Sequence, residues 1–152
     1  MKTKAQKLAE AHTVYQAAKT GQRPKTGAKD GSIPTHPVVP CPDLPELGKG
    51  GVQDLCHKWL KAHRIFCNTH TCGPGPDHTL CGIKNAGDEI GILPNGRHFE
   101  LEYKKGKGGR LSKGQQERMA GVRAAGGVYL VIHGVEELAY YWRSWYETET
   151  DL

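Results

Sequence analysis

The chain has 152 residues, 24% of them charged, with 21 Lys and Arg against 16 Asp and Glu and a formal net charge of +5. That length allows one compact domain with an extension, and no apolar run approaches the ~20 residues that span a bilayer, so no membrane association is expected. Five cysteines without a disulfide framework, and a basic start at Met1-Lys2-Thr3-Lys4 with no apolar stretch behind it, predict a reducing, cytoplasmic setting rather than secretion.

The charge is uneven. Residues 1–49 hold eight basic and four acidic side chains, whereas residues 50–152 hold thirteen and twelve. A basic extension on a nearly neutral domain suits a polyanion partner such as nucleic acid, and a merely soluble basic protein has the same balance. Within the extension, Ala5, Leu8, Tyr15 and Ala18 lie near helical spacing and predict a loose helix over 4–19. From Gly21 to Gly51 the chain is dense in Gly, Pro and Lys, and Pro34, Pro37, Pro40, Pro42 and Pro45 exclude a regular core element. Residues 1–49 therefore read as an extension and mobile linker, and residues 50–152 as the folded domain.

Val52, Leu55, Cys56, Trp59, Leu60 and His63 follow the spacing of an amphipathic helix. Arg64–Thr69 reads as a strand, and a Gly/Pro-rich loop over 73–77 follows. Ile90 and Ile92 mark a second strand, which Pro94-Asn95-Gly96 turns into a third over Phe99–Lys104. Ser112 and Gln115 have capping-box spacing and open a helix running to about Ala125, where Gly126-Gly127 stops it. Val128–Ile132 is short and apolar enough for a buried strand, and Glu136–Tyr146 closes the chain as a helix. The order α-β-β-β-α-β-α predicts an α/β fold with a small mixed sheet flanked by helices.

The chemistry concentrates at Asp88, Glu102 and Lys104. Alternate strand residues share a face, so Glu102 and Lys104 point together. Two carboxylates and the Tyr103 carbonyl could hold a hard cation such as Mg²⁺, leaving positions for water and a phosphate oxygen. Lys104 would orient the water and counter developing negative charge. The alternative is a solvated strand face on which Glu102 and Lys104 merely offset each other. A two-residue Asn95-Gly96 turn would pair Ile92 with Phe99 and Glu89 with Glu102. That register gathers Ile90, Ile92, Phe99 and Leu101 on one apolar face. It also sets Glu89, not Asp88, beside Glu102, so Asp88 joins the site only through a one-residue bulge. Glu89 is the reserve ligand.

Other groups carry weaker signals. The loop Gly106–Arg110 sets glycines among cations, so Lys105, Lys107, Arg110 and Lys113 are candidate phosphate contacts, or else belong to a flexible solvated hairpin. Gln115 could sit beside the site or serve only as a cap. Cys67, His70, Cys72, His78 and Cys81 include enough soft ligands for a structural Zn²⁺, though their spacing is not that of a regular ribbon. Cys56 and His133 read as core residues. Tyr140, Tyr141, Trp142, Trp145 and Tyr146 read as core packing, with base stacking or a subunit contact as the alternatives.

Gly87-Asp88-Glu89-Ile90-Gly91, then Phe99-Glu100-Leu101-Glu102-Tyr103-Lys104-Lys105-Gly106, then Leu111-Ser112-Lys113-Gly114-Gln115 together resemble the VRR-NUC family of the PD-(D/E)XK nuclease superfamily. The likeness continues through Arg123–Tyr129 and Gly134–Leu138. It implies a restriction-endonuclease-like αβββαβ core, with Asp88 and Glu102 as metal ligands, Lys104 as the catalytic lysine and Gln115 as the helix glutamine beside them. Similar proteins carry an acid ahead of an Ile-Gln pair; here Val52-Gln53 matches the pair, but Lys49 stands at the acid's position. Glu46 and Asp54 are the acids that could replace it. The resemblance implies a DNA nuclease dependent on Mg²⁺ or Mn²⁺, an endonuclease of replication, recombination or repair in a bacterial or phage-infected cell. A structure-selective cutter and a homo-oligomer with paired sites both fit by analogy. The rival expectation is a non-catalytic nucleic-acid-binding module of the same fold.

Overall fold

Val52, Cys56 and Leu60 are spaced one helical turn apart, and in the computed structural model they form the buried stripe of α1 (Val52–Ala62). The structure describes residues 3, 4, 7, 29–71, 73–74 and 80–149. The chain divides into two units, Met1–Gly31 and Ser32–Leu152. In the first, Lys4 and Lys7 are helical and Lys7 N–H donates to the Thr3 carbonyl; the rest of the helix expected over 4–19 lies outside the described residues.

The second unit is an α/β fold built on a four-stranded mixed sheet. Its strands are β2 (Phe66–Thr69), β5 (Glu89–Ile92), β6 (His98–Tyr103) and β8 (Val128–Ile132), in that spatial order. The first three are antiparallel neighbours, and β8 runs parallel to β6. Short pairs flank the sheet: β1 (Ile33–Pro34) with β7 (Arg110–Leu111), and β3 (Gly73–Pro74) with β4 (Leu80–Cys81). The remaining helices are α2 (Lys113–Ala124) and α3 (Val135–Glu149). Ser112 caps α2 with both halves of a capping box in place. The core joins Val52, Cys56 and Leu60 of α1 to Phe99, Leu101 and Tyr103 of β6 and to Val128, Leu130 and Ile132 of β8. Leu138 of α3 is buried there as well, and Trp142 meets Trp59 edge-on at 6.0 Å.

Two expectations are corrected. The hairpin turn is not two residues long. Leu93 N–H donates to Arg97 O, and Gly96 N–H, at φ 84°, donates to Leu93 O. Pro94-Asn95-Gly96 is therefore a three-residue loop with its left-handed residue at the bulge position, where glycine is unstrained. The register is Glu89 with Leu101, Ile90 with Glu100 and Gly91 with Phe99. Because side chains alternate, this one-residue change swaps faces. Ile90 and Ile92 leave the apolar face, and Ile92 is 48% exposed. Glu89 enters the α1-facing interior, and Asp88 falls opposite Glu102.

The second correction concerns the expected linker. Residues 32–49 wrap the domain as an extended strap. Thr35 N–H donates to Gly109 O, Val38 N–H to Glu137 Oε1, Gly106 N–H to Leu44 O and Val52 N–H to Pro45 O. Buried His133 ties the strap to α3, with Nε2 at 2.9 Å from Thr35 Oγ1 and Nδ1 at 2.8 Å from Glu137 Oε2. Prolines preclude a periodic ladder, but not extended backbone whose polar groups find partners one at a time.

Candidate active site

The face of β6 toward α2 alternates His98, Glu100 and Glu102, and parallel pairing brings Tyr129 and Val131 of β8 beside them. Glu102 is 3% exposed. Its Oε1 accepts Lys104 Nζ at 2.9 Å and Gln115 Nε2, while Tyr129 Oη lies 3.4 Å from Oε2. Asp88 lies beyond the end of β5 and accepts the Tyr103 N–H on Oδ2 at 2.8 Å. A strand residue turns its N–H and C=O to the same edge, so the Tyr103 carbonyl faces the Asp88 side too. Asp88, Glu102 and Gln115 line one cleft of about 590 Å³.

One ammonium serves two desolvated acids here. Burial, with Asp88 beside it, pushes the Glu102 carboxyl up to about 7, and the Lys104 bond offsets this only in part. Burial also raises Asp88, against the Tyr103 N–H bond and Lys104. Glu46 adds negative field at both acids. Asp54 is engaged elsewhere, accepting Gly50 N–H and Lys58 Nζ at 2.8 Å each. Glu46 is therefore the acid the structure places near Asp88 and Glu102.

Gln115 has two roles at once. Its Oε1 accepts Ser112 N–H at 2.9 Å and lies 3.4 Å from Lys104 Nζ, while its Nε2 holds Glu102. The cap and the site share a single amide. Glu89 is not at the site: it is fully buried, with its oxygens 3.0 and 3.1 Å from His57 Nδ1. The proposed phosphate contacts separate. Lys105 and Lys107 are exposed, and exposed Lys113 lies 4.0 Å from Glu117. Arg110 instead spends its guanidinium on Ser32 Oγ and O, at 2.8 Å each. Nor are all the loop glycines free for phosphate: a Cβ on Gly109 would lie 2.8 Å from Lys104 Cβ and Thr35 Oγ1. The strap, not a ligand, requires that glycine.

Of the suggested zinc ligands, Cys67 is buried, and desolvation, with a contact to Glu89, pushes its thiol up to about 12. His70 Nε2 accepts Ile83 N–H at 2.9 Å. Cys72, His78 and the Cys81 side chain lie outside the described residues. Tyr140 is exposed, and Tyr141 and Trp142 pack on the core; the Trp145 and Tyr146 side chains lie outside the described residues.

Sequence reasoning missed Tyr129, the place of His70 in the cleft wall and the Glu100 anchor. Glu100 accepts Gly87 N–H at 2.9 Å and pairs with Arg118 and His98, fixing the chain one residue before Asp88. Arg118 and that backbone bond outweigh burial and hold the Glu100 carboxyl below its ordinary range. Apart from the His98–Glu100 pair, two residues apart on β6, these contacts join residues too distant in the chain to leave a motif.

The oxygen-only donor set of Asp88, Glu102 and the Tyr103 carbonyl suits a hard divalent cation, and burial is the largest cause that raises both carboxyls. Among the described residues no three His, Cys, Asp or Glu side chains form a ready metal cluster. A cation here would depend on backbone and water oxygens as well. No protein-family model matches this chain, and neither a curated protein nor a solved structure matches it. Among the described residues no helix is long and apolar enough to cross a membrane.

Proposed function

We propose that this protein is a metal-dependent nuclease of restriction-endonuclease-like fold that hydrolyses DNA phosphodiester bonds. The observation carrying this reading is the meeting of Asp88, just ahead of β5, with Glu102 of β6 beside Lys104, in a cleft. A fortuitous surface pair would not be desolvated, or fixed by Gln115, Tyr129 and a backbone N–H.

Asp88, Glu102 and the Tyr103 carbonyl would hold Mg²⁺ or Mn²⁺. Once bound, that cation would supply Lewis-acid stabilisation of phosphate charge and an acidified water. The protein's own groups do the rest. Lys104 Nζ, held by Glu102, orients water by hydrogen bonding and offsets negative charge growing on the phosphate. Gln115 keeps Glu102 in the rotamer that faces the cleft. Lys105, Lys107 and Lys113 supply exposed charge for neighbouring phosphates, and the basic residues of 1–31 extend that attraction. Counting only strands of the four-stranded sheet, the order α1-β2-β5-β6-α2-β8 has the αβββαβ pattern that the resemblance implies.

Plasmid and branched DNA incubated with Mg²⁺ should yield products that disappear with EDTA and with Lys104→Ala, while binding persists. Equal inactivity of wild type and variant would favour a non-catalytic nucleic-acid-binding module of the same fold.

A further inference from the structure

The cleft holding Asp88 and Glu102 has another wall, made by His70, Thr71, Lys84, Asn85 and Ala86. These residues flank the β3–β4 excursion between β2 and β5. The backbone on either side of Lys84 and Asn85 is held by hydrogen bonds at Ile83, Ala86 and Gly87. Ile83 N–H donates to the His70 ring at 2.9 Å, Ala86 N–H to Ile83 O at 3.2 Å and Gly87 N–H to Glu100 Oε2 at 2.9 Å. His70 N–H donates to Asp88 O at 2.7 Å, joining this wall to the acid's own main chain. Asn85 adopts φ 60°, a left-handed conformation that asparagine tolerates. Its carboxamide fills the space a Cβ would take on Gly114, in the first turn of α2. That turn also carries Gln115.

Lys84 rides on this fixed turn. It is exposed, lines the cleft, and has no ion-pair partner among the described residues. An anionic strand entering a cleft that contains two acids and the field of Glu46 needs cations on the surrounding walls. Lys105, Lys107 and Lys113 do not line the cleft itself; Lys84 does. Asn85, packed on Gly114, ties the backbone next to Lys84 to the first turn of α2.

We propose that Lys84 is a phosphate-contact residue for the nucleic-acid strand in the cleft, gripping a phosphate beside the one that is cleaved. The identity of the strand rests on the nuclease reading above. Lys84 would act on binding rather than on the reacting atoms.

The test is salt-dependent binding of a labelled duplex and a labelled single strand, with cleavage rates at saturating DNA. The proteins are wild type, Lys84→Ala, Lys84→Arg and, as a control, Lys58→Ala, an exposed α1 lysine that does not line the cleft. Lys84→Ala should weaken binding uniformly across sequences and flatten the log–log salt slope by about 1. Lys84→Arg should keep the slope, Lys58→Ala should match wild type, and the saturated cleavage rate should be unchanged. Melting temperatures check that all variants fold. If wild type cleaves and Lys84→Ala keeps the full slope, this proposal falls and the nuclease reading stands. If wild type does not cleave but Lys84→Ala still flattens the slope, the phosphate contact stands and the catalytic reading falls. If wild type neither binds nor cleaves nucleic acid, both fall.

Discussion

Asp88 and Glu89 are adjacent carboxylates on opposite faces of one sheet, and they have been given opposite environments. Glu89 points toward α1, where it is fully buried and matched by His57. Asp88 points to the cleft, where burial raises its carboxyl and Glu102 and Lys104 lie close by. A paired buried acid holds a fold together. A desolvated acid at the rim of a cleft, beside a second acid and a lysine, is instead a candidate for function.

That contrast predicts a clean separation of variants. Glu89→Ala should be the most disruptive, leaving a void in the interior where a fully buried side chain stood, at a cost of about 2–5 kcal/mol; denaturant unfolding checks this. Its cleavage rate per folded molecule should stay near wild type, and a rate loss with full stability would dissolve the distinction. Asp88→Asn should behave the other way. DNA cleavage should fall by about 10²–10³-fold in a single-turnover assay, with little change in unfolding midpoint.

Glu102→Gln sharpens the comparison through pH. A carboxyl raised to about 7 in the folded state from its ordinary 4.5 favours folding while it is protonated, and that stabilisation is lost as pH rises through 7. In metal-free buffer the variant should therefore match wild type near pH 4 and exceed it above pH 8, by up to about 3 kcal/mol. Excess Mg²⁺ should reverse the order by stabilising wild type alone. A pH-independent difference between the two proteins would contradict a Glu102 carboxyl raised by burial in this cleft.

The smallest effect is expected at Tyr103. Its hydroxyl is buried with no hydrogen-bond partner among the described residues, on the α1 side of β6. Tyr103→Phe removes that unsatisfied group, so stability should hold or rise by about 1 kcal/mol, measured by thermal unfolding. Cleavage should be unchanged, because only this residue's backbone reaches the site.

Much of this was legible in local spacing. The stripe Val52, Cys56 and Leu60, the capping pair Ser112 and Gln115, and the apolar run Val128–Ile132 each formed the element their pattern dictates, because those patterns follow from helix and strand periodicity alone. So did the sharing of a face by Glu102 and Lys104. What tertiary structure decided was registration and enclosure. A left-handed glycine at Gly96 moved Asp88 opposite Glu102 and sent Glu89 into the core, a choice between two loop lengths that the Pro94-Asn95-Gly96 triplet permits equally. The strap over residues 32–49 has no period to read; its order comes from partners such as Gly109, Glu137 and His133, roughly 75–100 positions away. Tyr129 and Glu100 reached their places through strand pairing and a turn anchor. Periodicity is a property of neighbours in the chain, whereas burial and charge compensation belong to neighbours in space.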